Sequence, residues 1–281
     1  MEHAVLQGSF PELAVERHPL GEGRIKIAYG ATWDGVPVVL KLVKTALVDD
    51  SDGAVQIPER TEREILALAK VSSPRVAQVL REPQIRVVDG EKFLSFLEQR
   101  YSDDTLLTRM TSEWHEDRVV DLVHDLLDAV AALTAADLVH RDIKPTNIVF
   151  DENDRPVLLD LDAALHQDLD PLTSESLTGP GTDRYAAPEQ FLPRGQVKPD
   201  FRSDLYSVGV VAFEALTGAH PFGHPGEEWY QRMTRGNLDI NQLRRRCGRP
   251  LQELLARLLL PEPNQRYRKI SLAIEDLEHC R

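Results

Sequence analysis

Apolar positions along this chain change their rhythm about a third of the way in. Val36 to Val43 ("VPVVLKLV") and Phe93 to Leu97 ("FLSFL") are short runs rich in β-branched and aromatic residues, which predicts strands. Between them, Glu59 to Lys70 is spaced as a helix and opens after Pro58, a residue suited to a first turn. Farther on, Asp117 to Ala136, Asp204 to Thr217, Leu251 to Leu260 and Ile270 to His279 carry apolar residues on one helical face. The pattern therefore predicts a small sheet with one helix, followed by a mainly helical half. Glu98 to Thr105 ("EQRYSDDT") is polar enough for a hinge or loop between them. The acidic stretch from Val48 ("VDDSDG") reads as an exposed loop, and no internal repeat or low-complexity linker is found.

One stretch interrupts the apolar pattern and introduces candidate chemistry. "HRDIKPTN", His140 to Asn147, follows a long helical segment and precedes two short apolar runs, "NIVF" and "PVLLD", with "ENDRP" as the turn between them. Pro145 blocks helix there, and Asp142, Lys144 and Asn147 alternate so that an ordered loop can aim them into one cleft. Singly, such residues are most often solvated loop side chains. Asp160, which ends the second apolar run, changes that weighting. Metal-assisted phosphoryl transfer needs a carboxylate beside the acceptor hydroxyl, a cation for the migrating group and oxygen ligands for magnesium, and these four residues can supply all three.

Composition narrows the classes. A chain of 281 residues, 42% hydrophobic, can bury a sizeable core, and its formal net charge of -13 argues against binding nucleic acid or anionic lipid. Cys247 and Cys280 are too few for a disulfide framework or a zinc site, which suits a reducing cytosol. No apolar run approaches a membrane span, and Met1 to Gly8 lacks a signal-peptide pattern. The expectation is a soluble cytoplasmic protein.

"HRDIKPTN" together with "DLD" at Asp160 resembles the catalytic loop and metal-binding segment of the eukaryotic-like (bacterial-type) serine/threonine protein kinase superfamily. Other motifs match in chain order, from Leu20 to Arg266. "LGEGRIKIAYGA" resembles the glycine-rich loop, with Leu20, Gly21 and Gly23. "VVLK" resembles the strand whose lysine, Lys41, holds the ATP phosphates, with Glu64 as its helix partner and Glu62 as the alternative. "GTDRYAAPEQ" resembles the segment that docks a protein substrate, where Glu189 couples to the late Arg266, and Asp204 opens a buried helix that supports the catalytic loop.

The resemblance implies a two-lobed α+β fold: a small antiparallel sheet plus one helix over 1–100, and a larger, mainly helical lobe over 101–281. It implies roles as well. Asp142 would orient and deprotonate the acceptor hydroxyl, Lys144 would neutralise the transferring phosphoryl, and Asn147 and Asp160 would ligate Mg2+, with Mn2+ as an alternative. Leu20, Ala28, Val39 and Val149 would sandwich the adenine of ATP, and Glu98 and Arg100, after Leu97 bordering the base, would offer hinge backbone groups. Arg141 would clamp an activation-segment phosphate on Ser174, Ser176, Thr178 or Thr182, with Thr173 also a candidate. Lys144 followed by Thr146 resembles serine/threonine rather than tyrosine kinases. The implied partners are a protein substrate and a regulatory protein, in signalling.

Three departures matter. Lys26 replaces the third glycine of the loop, at a cost on the order of 1 kcal/mol if positive φ is needed there. Asp162 replaces the glycine of the family's "DFG" and sets a second carboxylate near Asp160, and Val39 stands where alanine is common. These departures leave a pseudokinase or nucleotide-binding signalling scaffold as the alternative, and a small-molecule phosphotransferase of similar fold as a third reading.

Overall fold

The computed structural model describes residues 2–22, 26–44, 46–49, 53–56, 66, 68–159, 183–193, 196–223 and 227–281. They belong to two compact units, Met1–Tyr101 and Ser102–Arg281.

The first unit begins with helix α1 (His3–Ser9), followed by strands β1 (Leu13–Glu22), β2 (Lys26–Trp33) and β3 (Val36–Lys44). A separate two-stranded pair, β4 (Ala46–Asp49) and β5 (Gly53–Gln56), precedes β6 (Val79–Val88) and β7 (Glu91–Gln99). The five long strands form one antiparallel sheet in the order β1-β2-β3-β7-β6. Two Asp-Gly pairs set its register. Asp34 and Gly35 (φ 49° and 83°) close β2–β3, and Asp89 and Gly90 (φ 55° and 79°) close β6–β7, the positive-φ geometry that two-residue hairpins require. With register fixed, strand alternation sends Val38, Leu40 and Leu42 to one face and Val39 and Lys41 to the other.

The Leu40 face is covered by the start of the chain. Leu6 and Phe10 are buried against Leu13, Tyr29, Leu40 and Leu97, and Gln7 fastens the turn after α1. Its amide donates to Phe10 O (3.2 Å) and Leu13 O (2.6 Å) and accepts from Val15 N–H (2.9 Å). Sequence reading found neither α1 nor this cover. Of the acidic stretch from Val48, expected as a loop, Val48 pairs with Ala54 and Asp49 with Gly53, while Asp50 to Asp52 lie outside the described residues. Most of the predicted helix over Glu59 to Lys70 lies outside the described residues.

The second unit contains α2 (Leu106–Arg109), α3 (Glu116–Ala135), the hairpin β8 (Ile148–Phe150) and β9 (Pro156–Leu158), then α4 (Phe201–Thr217). Helices α5 (Glu227–Arg235), α6 (Ile240–Arg244), α7 (Arg249–Leu258) and α8 (Ile270–Glu278) follow. Helix α4 starts at an Asp200 cap, whose side chain accepts from Arg202 N–H. It is apolar nearly all round and correspondingly buried. Gly209 lets α7 come close, since a Cβ there would stand 2.9 Å from Leu258 Cβ.

A buried ion pair ties the end of the unit to α4. Arg266 uses all five of its N–H donors: Nη1 and Nη2 reach Glu189 at 2.7 and 2.9 Å, and the rest reach the carbonyls of Arg202, Leu260 and Pro261. Ser203 Oγ–H donates to the same carboxylate at 2.7 Å. A lysine cannot reproduce this planar fork.

Two stability outcomes follow. Arg266→Met leaves Glu189 charged and buried without its partner, so chemical denaturation should show a loss of about 3 to 5 kcal/mol. Phe10→Ala removes a buried aromatic and should destabilise the first unit by about 3 to 5 kcal/mol, with faster hydrogen exchange confined to the five-stranded sheet.

Candidate functional site

In the second unit the loop after α3 is held from below by one carboxylate. Asp204 accepts the N–H of His140 on Oδ2 (2.9 Å) and the N–H of Arg141 on Oδ1 (2.7 Å). It is fully buried, and burial pushes its pKa above the ordinary value, while Arg141 and the two N–H bonds pull the other way. Arg141 takes φ 67°, a left-handed conformation that costs a residue with a Cβ about 1 to 2 kcal/mol. Its bond to Asp204 offsets that cost. Gln190 holds the same residue from the other side, donating to Arg141 O at 3.0 Å and accepting from Ala187 N–H at 3.0 Å.

His140 links this loop to the β8–β9 hairpin. Its Nδ1 accepts from Asp142 N–H (3.2 Å), which leaves Nε2–H to donate to Leu159 O (2.8 Å), the carbonyl next to Asp160. On the other side Leu159 N–H donates to Asn147 O at 2.7 Å. One imidazole in one tautomer thus sets the spacing between the loop and the strand end.

Three polar side chains then converge. Lys144 Nζ lies 2.7 Å from Asp142 Oδ2, and Asn147 Nδ2 donates to both Asp142 O and Asp142 Oδ2 at 2.9 Å. All three remain partly exposed. Because the Asn147 amide nitrogen points at Asp142, its Oδ1 stays available as a hard oxygen ligand, the donor type that magnesium takes. Val149 is buried in β8, paired with Val157. In the segment resembling a substrate dock, Glu214 of α4 receives Arg184 Nη2 (2.8 Å) and Tyr185 O–H (2.5 Å). Burial, and after it Glu214, pushes the Tyr185 pKa up, so the hydroxyl remains a donor.

In the first unit, Ala28 pairs with Lys41 and Gly30 with Val39 in register, so all four share the face turned away from the α1 cover. Leu20 and Gly21 lie on β1, Leu20 half exposed, with Gly21 opposite Ala28. Lys26 sits in β2 opposite Val43 and has no positive φ, so the expected glycine penalty does not arise. Glu98 departs most from expectation. It is not in a hinge loop but within β7, opposite Val39, and its buried carboxylate lies 2.7 Å from Lys41 Nζ. Leu97, expected to border the base, pairs with Leu40 and packs under α1, because alternation gives the Lys41 face to Phe96 and Glu98. Arg100 pairs with Glu16, which fills the space above Gly30.

Gly23, Glu64, Asp160, Ser174, Ser176, Thr178 and Thr182 lie outside the described residues, as do Glu62, Asp162 and Thr173. Sequence reasoning missed the Glu98 carboxylate, the double role of His140 and the Gln190 brace. His140 stood in the motif, yet its bonds depend on where Leu159 comes to lie.

Residues 15–276 match the family model for the protein kinase domain. Among curated relatives, the chain is 32% identical over 215 residues to serine/threonine-protein kinase pkn3 of Myxococcus xanthus, covering 72% of this chain and 36% of that one. It is 29% identical over 270 residues to serine/threonine-protein kinase PksC of Streptomyces coelicolor, covering 89% of this chain and 46% of that one. The chain therefore spans less than half the length of either relative. Among solved structures, Rad53 1-466 in complex with AMP-PNP superposes with a TM-score of 0.72 at 21% identity, covering 96% of this chain and 65% of that one, a likeness of fold. A family match over almost the whole length, on the two-lobed α+β architecture and the loop geometry described above, means that the chain belongs to the protein kinase domain family and resembles its bacterial serine/threonine members.

Proposed function

We propose that this chain is an ATP-dependent serine/threonine protein kinase, transferring the γ-phosphoryl of ATP to a hydroxyl of a protein substrate. The observation that carries this reading is the convergence on Asp142 of the Lys144 ammonium and the Asn147 amide, at 2.7 and 2.9 Å. A carboxylate held in that way can orient an acceptor hydroxyl and take its proton as the oxygen attacks phosphorus. Lys144, already beside that carboxylate, can move its charge onto the phosphoryl oxygens as they shift toward the acceptor. The donor set suits a divalent ion: Asn147 Oδ1 and Asp160 would hold Mg2+, which when bound neutralises charge on the nucleotide phosphates. In the first unit Lys41 would grip those phosphates, and Ala28 and Val39 would pack on the base.

Regulation is read at the activation segment. Arg141, held by Asp204 and Gln190, would receive a phosphate on Ser174, Ser176, Thr178 or Thr182, placed there by autophosphorylation. A cytoplasmic location fits two free cysteines, and among the described residues no helix is long and apolar enough to cross a membrane. Asp162 favours the scaffold reading, but Asp142, Lys144 and Asn147 arranged for proton transfer oppose it.

Incubation with labelled ATP, Mg2+ and a generic basic protein tests the reading. Label should appear on protein, and Asp142→Asn should lower kcat by about 10²- to 10⁴-fold with nucleotide affinity little changed. Nucleotide binding by the parent chain without label transfer would instead support the scaffold. Tandem mass spectrometry after incubation with MgATP should find phosphate on the Thr173 to Thr182 peptide, and an unmodified peptide would remove the autophosphorylation step.

A further inference from the structure

The role of Lys41 proposed above requires its ammonium to face nucleotide phosphates, and the present inference rests on that reading. In the structure the ammonium is in contact with the Glu98 carboxylate. Lys41 is opposite Ala28, and Lys26, the first residue of β2, is opposite Val43. The ends of β1 and β2 that flank the segment resembling the glycine-rich loop therefore lie on the Val43 side of Lys41. Glu98 lies on the other side, opposite Val39. Lys41 and Glu98 are thus diagonal neighbours on one face of the sheet, about 7 Å apart along the strands and within reach of two long side chains, and Lys41 Nζ lies 2.7 Å from Glu98 Oε2.

The pair is also deeply buried, with side chains 6% and 3% exposed. In such surroundings an ion pair is screened little, and either charge alone would be poorly tolerated. Arg100, two residues after Glu98, pairs with Glu16. A carboxylate and a phosphate oxygen ask the same thing of an ammonium: a short, charge-assisted N–H bond. Glu98 thus occupies Lys41 with the chemistry that the nucleotide itself would offer.

We propose that Glu98 is an internal competitor for the nucleotide: its carboxylate latches Lys41, and phosphate binding requires the ammonium to leave Glu98. Glu98 then sets nucleotide affinity through its side chain, a role distinct from hinge backbone contacts. If the latched arrangement holds nine molecules in ten, removing it tightens binding about tenfold.

The test is MgATP affinity by isothermal titration calorimetry in the parent chain, in Glu98→Gln, in Lys41→Met and in the double variant. Glu98→Gln should bind MgATP about tenfold more tightly than the parent, and the same change in the Lys41→Met background should have no effect. Unchanged or weaker binding by Glu98→Gln overturns the latch. An equal gain in the Lys41→Met background overturns it too, because Glu98 would then act without Lys41. Should Glu98→Gln fail to fold, the parent chain labelled with 13C at its glutamate carboxyls decides: the Glu98 resonance should shift on saturation with MgATP but not with Mg2+ alone, and a stationary resonance overturns the proposal. A parent that binds no MgATP overturns both the latch and the kinase reading. A parent that transfers phosphoryl while Glu98→Gln binds no more tightly overturns the latch alone.

Discussion

Asp204 lies wholly inside the second unit, and its two oxygens take consecutive backbone N–H groups, those of His140 and Arg141. That grip holds Arg141 in a left-handed conformation it would otherwise avoid, and the bend turns the chain so that Asp142, Lys144 and Asn147 meet. An exposed carboxylate would share these donors with water and hold them weakly. Burial makes the two bonds count, because an unpaired amide in that place would lose hydration with nothing in return.

Helix α4 is the common anchor. Besides Asp204 it contributes Ser203, bonded to Glu189, Ser207, whose hydroxyl donates to Tyr185 O at 2.8 Å, and Glu214, which receives Arg184 and Tyr185. Arg266 closes the arrangement by taking Glu189 and Arg202 O together. The helix can carry so many buried polar bonds because the rest of its surface is apolar and packed, with Gly209 admitting α7 closely. A rigid support beneath a partly exposed loop is what a positioned proton acceptor needs.

Much of this was legible in the sequence, for physical reasons. The strand around Lys41 and the helices of the second unit announce themselves by periodicity, and Asp204, Glu189 and Arg266 stand at spacings that a resemblance could read. The Asp34-Gly35 and Asp89-Gly90 pairs are turn signals in the sequence as well, and they fix the register that decides which residues face Lys41. Without register, alternation says only that Leu97 and Glu98 point in opposite directions, and the polar text after Glu98 suggested a hinge one residue pair too early. The α1 cover was hidden for a different reason: seven residues are too few to show a helical period, and Leu6 and Phe10 are buried by a sheet distant in sequence.

The most direct measurement of the central claim is phosphoryl-transfer kinetics of Asp204→Asn beside its thermal unfolding. An amide can accept one of the two N–H bonds but not both on equal terms, so the loop should lose its bend while the chain still folds. The account predicts a fall in kcat on the order of 10²-fold with MgATP affinity nearly unchanged and cooperative unfolding retained. A folded Asp204→Asn protein with the parent's kcat would contradict it.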